Sequence, residues 1–111
     1  MNSDILQLTE NYVSAINSSD LRGVLAMSHE TFTLTDAENF INGKRSWGQF
    51  LEGLFENQIS FKAEDVLVKD RLSALHFTLK VNKESFKGVD LIEWNNNGQM
   101  LRLRAYVEKI T

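Results

Sequence analysis

Four stretches decide the fold: S-F-K-A-E-D-V-L-V-K (60–69), L-S-A-L-H-F-T-L-K-V (72–81), F-K-G-V-D-L-I-E-W (86–94) and M-L-R-L-R-A-Y-V (100–107). From Ser60 onward apolar residues recur at a spacing of two, as on strands whose side chains alternate between faces. Leu75, Phe77 and Leu79 share one face, while His76, Thr78 and Lys80 share the other. The connections are short and polar: Lys69-Asp70, Asn82-Lys83-Glu84 and Asn95-Asn96-Asn97-Gly98. The chain has no proline, so its turn chemistry falls to Asn, Asp and Gly, which tolerate positive φ. The second half therefore reads as an antiparallel meander.

Upstream, the spacing is helical. Ser3 or Asp4 can cap a helix in which Ile5, Leu8, Tyr12, Ala15 and Ile16 form one stripe. Asn17-Ser18-Ser19 ends it, and Asp20 caps a short second helix carrying Leu21, Val24, Leu25 and Met27. Thr31 to Asp36 alternates as a strand, with Phe32, Leu34 and Asp36 on one face. A third helix is expected over Trp47 to Glu56, with Phe50, Leu51, Leu54 and Phe55 as its apolar side. Helices followed by a meander predict one α+β domain over 1–111, with helices on one face of a curved antiparallel sheet. Such a cone encloses a pocket.

The composition fits one globular domain. The chain has 111 residues, 42% of them apolar and 24% charged, and a formal charge of −3. A domain this long buries roughly 65% of its unfolded surface, enough for one core. The absence of cysteine excludes a disulfide framework, a thiolate metal site and a thiol nucleophile. The acidic balance argues against nucleic acid as a partner, which needs a basic face. No apolar run reaches the roughly 18 residues of a membrane helix, and Met1-Asn2-Ser3-Asp4 has no basic leader character. No membrane partner and a cytoplasmic location are the expectation.

Three segments resemble the nuclear transport factor 2-like superfamily, with its SnoaL-like cyclases and ketosteroid isomerases. They are N-Y-V-S-A-I-N-S-S-D-L-R-G-V-L-A-M (11–27), T-F-T-L-T-D (31–36) with the later Gly43, and G-V-D-L-I-E-W-N-N-N-G-Q-M-L-R-L-R-A-Y (88–106). The resemblance implies a cone-shaped α+β fold around a pocket for a small hydrophobic ligand. It also implies no cofactor or metal, while Arg102 and Arg104, alternating with Tyr106 on one strand face, are the expected surface of a homodimer through the sheet. Counted from the shared Asp-Leu-x-Gly, the isomerases' oxyanion-hole tyrosine falls on Tyr12 and their general base on Asp36. Their second oxyanion donor, a protonated aspartate, falls on Asp90. Phe32, Leu34, Phe50, Leu54, Ile92, Trp94, Leu103 and Ala105 are the expected pocket lining. The chain departs from the isomerase pattern at Ala37, where proline commonly follows the base, and in the absence of an aromatic on the last strand's inner face.

Each residue also has a structural reading. Tyr12 stacks between Leu8 and Ile16 at helical spacing, as a core tyrosine would. Asp36 can initiate the turn at Ala37-Glu38-Asn39. Asp90 can pair with Arg102 or Arg104 across the hairpin. His29 is expected at the last carbonyls of the second helix, and Lys44-Arg45 as a solvated pair. His76, Lys80, Arg102, Arg104 and Tyr106 mark the outer sheet face, the surface of a rival non-catalytic dimerisation module. Dehydration or cyclisation in the same pocket is the other alternative. The two histidines lack metal-ligand spacing, and no phosphate loop or nucleophile elbow occurs.

Overall fold

The computed structural model describes residues 2–110. Among these, α1 (Asn2–Asn17) and α2 (Leu21–Ala26) precede β1 (Ser28–Thr35), β2 (Phe40–Asn42) and α3 (Lys44–Leu54). The rest is β3 (Ile59–Lys69), β4 (Leu72–Val81), β5 (Glu84–Trp94) and β6 (Met100–Lys109). The chain is a mixed α+β cone: the helices pack on one face of a curved six-stranded sheet, in the order β2-β1-β6-β5-β4-β3.

The meander forms as its period dictates, with β3 to β6 pairing antiparallel in succession. Asp70 and Asn82 take φ values of 55° and 56°, and Gly98 takes 78°, where the turn residues were expected. Irregularities at Ala63/Asp65 and Glu93/Trp94 interrupt the ladders and add curvature. Gly88 lets β5 approach β6 closely, because a Cβ there would run into the Tyr106 carbonyl oxygen.

The sheet is not wholly antiparallel. β1 lies parallel to β6, with Leu34 opposite Leu103, because the helices and the meander return the chain to that edge in the same direction. β2, expected as loop, pairs with β1 at the edge and seats Ile41 in the core. β1 begins three residues before the expected start and ends at Thr35, leaving Asp36 just beyond the strand. His29 therefore lies in β1, where its Nδ1 accepts from Thr31 N at 3.1 Å, and Met27 caps α2 instead. α3 starts at Lys44, three residues early, with Gly43 at φ 92° before it. α1 is already formed at Asn2, which puts Asp4 in its first turn; the cap expected from the Ser3 side chain lies outside the described residues. Asp20 caps α2 as expected, its Oδ1 accepting from Gly23 N at 3.0 Å.

Two buried indoles lock the helices to the sheet. Trp94 Nε1 donates to Ser73 Oγ at 3.1 Å, and Ser73 and Thr9 share a hydroxyl bond of 2.8 Å. Thr9 in turn reaches the Ile5 carbonyl at 2.8 Å. Trp47 Nε1 donates to Ser28 Oγ at 3.1 Å, and Ser28 donates to the Val24 carbonyl at 2.7 Å. Asn17 Oδ1 accepts from Phe61 N at 3.0 Å and ties the end of α1 to β3.

Ser73→Ala leaves the Trp94 N–H buried without its acceptor, and a loss of about 1–3 kcal/mol in urea unfolding is expected. Gly88→Ala is expected to cost on the order of 1–3 kcal/mol, because the obstacle is backbone that cannot step aside. Unchanged midpoints would contradict both assignments.

Candidate active site

The closed end of the cone is dense. Phe32, Ile92 and Trp94, expected on the pocket lining, are instead packed inside it, with Phe32 against the Trp47 ring at 4.8 Å. The other end opens into a cavity of about 390 Å³ between α1, α3 and the sheet. Leu34, Phe50, Leu54, Leu103 and Ala105 line it, as do Phe61, Phe77, Leu79 and Phe86, which were not among the expected lining residues. Their signal was present: the alternation already set Phe77 and Leu79 inward with Leu75. What it lacked was where along each strand the packing stops.

Period two on β5 turns Asp90 inward with Ile92 and Trp94, between Leu75 of β4 and Ala105 of β6. The residue is 5% exposed, and no donor among the described residues reaches its carboxyl. The arginine pairing open in the sequence does not form. Arg102 and Arg104 point to the outer face, where both approach Glu93, and Arg104 Nε is buried without a partner. Burial without compensation disfavours the charged carboxylate and pushes Asp90 up to about 7. At neutral pH the carboxyl is thus close to half protonated and can donate a hydrogen bond.

Tyr12 reaches the same cavity from α1, its ring edge-on to Phe61 at 6.1 Å. Burial, and then the charge on Asp90, raise its hydroxyl well above the usual tyrosine value. It stays protonated as a donor. No hydrogen bond joins it to Asp90, so both are free to meet a third group.

Asp36 stands at the mouth, on the rim shared with a shallower depression of about 790 Å³ that runs to His76 and Tyr106. Its Oδ1 accepts from Glu38 N at 2.8 Å, Asn39 N at 2.7 Å and Asn39 Nδ2 at 3.1 Å. Among the described residues Oδ2 accepts from Asn39 Nδ2 alone, at 3.1 Å, which leaves lone pairs for a ligand. Turn initiator and cavity residue are therefore one side chain. The structure brings Tyr12, Asp36 and Asp90 to one cavity, and among the described residues its charged lining residues are the two aspartates.

The SnoaL-like domain model matches residues 9–103. The chain belongs to the SnoaL-like family. Among solved structures it is similar to a candidate ketosteroid isomerase from Kribbella flavida, at TM-score 0.89 and 15% identity, over 99% of this chain and 82% of that one. It is also similar to an LEH-like epoxide hydrolase from Mycobacterium tuberculosis, at 0.87 and 14%, over 96% and 84%. A third is SalBIII, an epoxide hydrolase/cyclase-like enzyme of pyran ring formation in the polyether salinomycin, at 0.87 and 11%, over 96% and 92%. At such identities these likenesses establish the nuclear transport factor 2-like fold that SnoaL-like domains share, and the chemistry must come from the site. No curated protein matches the sequence.

Outside the cavity, His76 faces out beside Asp65 at 3.3 Å, and Lys44 lies 3.9 Å from Glu30. Among the described residues no three His, Asp or Glu side chains are placed to hold a metal ion. Among the described residues no helix is long and apolar enough to cross a membrane.

The shift on Asp90 has a sign that stability reads out. Below its ordinary value of 3.8 the carboxyl is protonated whether the chain is folded or not. Between that value and about 7 the unfolded chain releases the proton and the folded chain keeps it, so stability falls as pH rises, then levels. The whole effect is about 4 kcal/mol. Asp90→Asn is expected to gain on the wild type steadily from pH 4 to pH 7 in chemical denaturation. A constant difference across that window would mean that the carboxyl is not held neutral.

Proposed function

We propose that the cone binds a small hydrophobic molecule through one acceptor oxygen and moves a proton at the carbon next to its carbonyl, as ketosteroid isomerases do. The observation that carries this reading is the buried, unpartnered Asp90 carboxyl sharing an apolar cavity with the Tyr12 hydroxyl. Two donors without partners mark the place for an oxygen that gains charge. Asp36 is the base in this reading: Oδ2 takes the α proton at the mouth and returns it further along the conjugated system. The electron pair left behind moves onto the carbonyl oxygen, between Tyr12 and Asp90. The step uses no cofactor.

The donors already held on Asp36 favour a second reading, in which Asp90 alone serves as the acid, for dehydration or cyclisation of the kind SnoaL-like cyclases perform. The outer face supports a homodimer in either case. Tyr106 is 59% exposed and Leu67 72% exposed on that face, which also carries the opposite charges of Arg102, Arg104 and Glu93.

A panel of steroids and smaller cyclic enones is expected to raise the melting temperature, and a β,γ-unsaturated ketone to be conjugated at a rate followed by absorbance. Asp36→Asn should slow this by about 10²–10⁴ and Tyr12→Phe by up to about 10². Turnover that survives Asp36→Asn but not Asp90→Asn would select the second reading, and no ligand shift at all would remove both. For the dimer, sedimentation velocity should find two copies that Tyr106→Glu separates.

A further inference from the structure

The charges and walls of the cavity match a ligand class beyond a neutral carbonyl compound. Among the described residues its lining carries two carboxyl groups and no lysine, arginine or histidine. Asp90 lies at depth with no protein donor, and Asp36 lies at the mouth. Around them stand aromatic rings from five elements: Tyr12 of α1, Trp47 and Phe50 of α3, Phe61 of β3, Phe77 of β4 and Phe86 of β5. Aromatic faces attract cations, more strongly where water is excluded. An anion that is buried and unpaired is costly, and a cation brought by a ligand removes that cost.

We propose that this cavity is a binding site for a lipophilic ammonium ion, a compact amine whose charged head meets Asp90 and whose hydrocarbon body fills the aromatic cone. The proposal rests on the reading that the cone admits a small apolar molecule, and not on proton transfer within it. Binding ionises Asp90, so at acid pH one proton leaves to water for each amine bound. The groups facing Asp90 do not compete for that role. Tyr12 on α1 is a neutral donor, Leu75 and Ala105 on the flanking strands are apolar, and Trp47, Phe50 and Leu54 on α3 carry no charge. Asp36, at the end of β1, adds a second negative charge that favours entry of a cation.

The probes are 1-adamantanamine and its neutral counterpart 2-adamantanone, titrated calorimetrically into the whole chain from pH 5 to pH 8. Amine affinity is expected to rise about tenfold between pH 6 and pH 8 and then level, following the ionised fraction of Asp90. Buffers of different ionisation heat should report close to one proton released per amine at pH 6. Asp90→Asn, with its fold checked by circular dichroism, should lose both the pH dependence and at least about tenfold in affinity for the amine at pH 8. The wild-type pH profile and proton count stand even if that variant folds poorly. Amine binding that is flat with pH, or unchanged in Asp90→Asn, overturns the proposal. Ketone binding without amine binding overturns it and leaves the cavity reading intact, whereas binding of neither removes both.

Discussion

An indole N–H is a donor only, and one that is buried must find an acceptor. Trp47 and Trp94 each bury theirs, and each finds a serine whose hydroxyl leads on to helix backbone. Through Ser73 and Thr9 the fifth strand is tied by way of the fourth to the first helix. Through Ser28 the third helix is tied by way of the first strand to the second. These two chains close one end of the cone against its helices. The other end is left to curvature, and there the sheet and the helices part around a cavity.

The same geometry accounts for the unpaired carboxyl. Strand register sets Asp90 on the inner face, and its cross-strand neighbours Leu75 and Ala105 have nothing to offer it. A structure selected for stability alone would place a leucine or asparagine with partners here, since an uncompensated buried acid weakens the fold near neutral pH. Local violations of this kind concentrate where a protein meets a ligand. Asp36 differs: its hydrogen bonds hold a turn together, and its position at the mouth follows from the strand ending one residue earlier.

Most of the fold was legible because most of it is local. The meander pairs strands adjacent in sequence, so alternation and turn residues were enough to place their bounds within two residues. The site was legible only in part. Tyr12 and Asp90 could be assigned to inner faces, since a face is a property of one element. That Phe32, Ile92 and Trp94 fill the closed end, while Phe61, Phe77 and Phe86 line the open one, depends on where separate elements diverge. Alternation already set Arg102 and Arg104 on the outer face, but their partner there, Glu93, and the Asp90 carboxyl left unanswered came only with the structure.

The sequence by itself determined a cysteine-free α+β domain, its helical and strand segments, the inward direction of Tyr12, Leu34 and Asp90, and the turns that substitute for proline. Only the tertiary structure decided the parallel pairing of the first and last strands, the short edge strand, the depth of the cavity and the isolation of the Asp90 carboxyl. The physical reason is the range of the forces involved. Periodicity and turn propensity act over a few residues and leave their mark in the chain. Pairing, burial and the electrostatic state of a carboxyl depend on segments that approach from 60 or more residues away, as Ser28 and Met100 do.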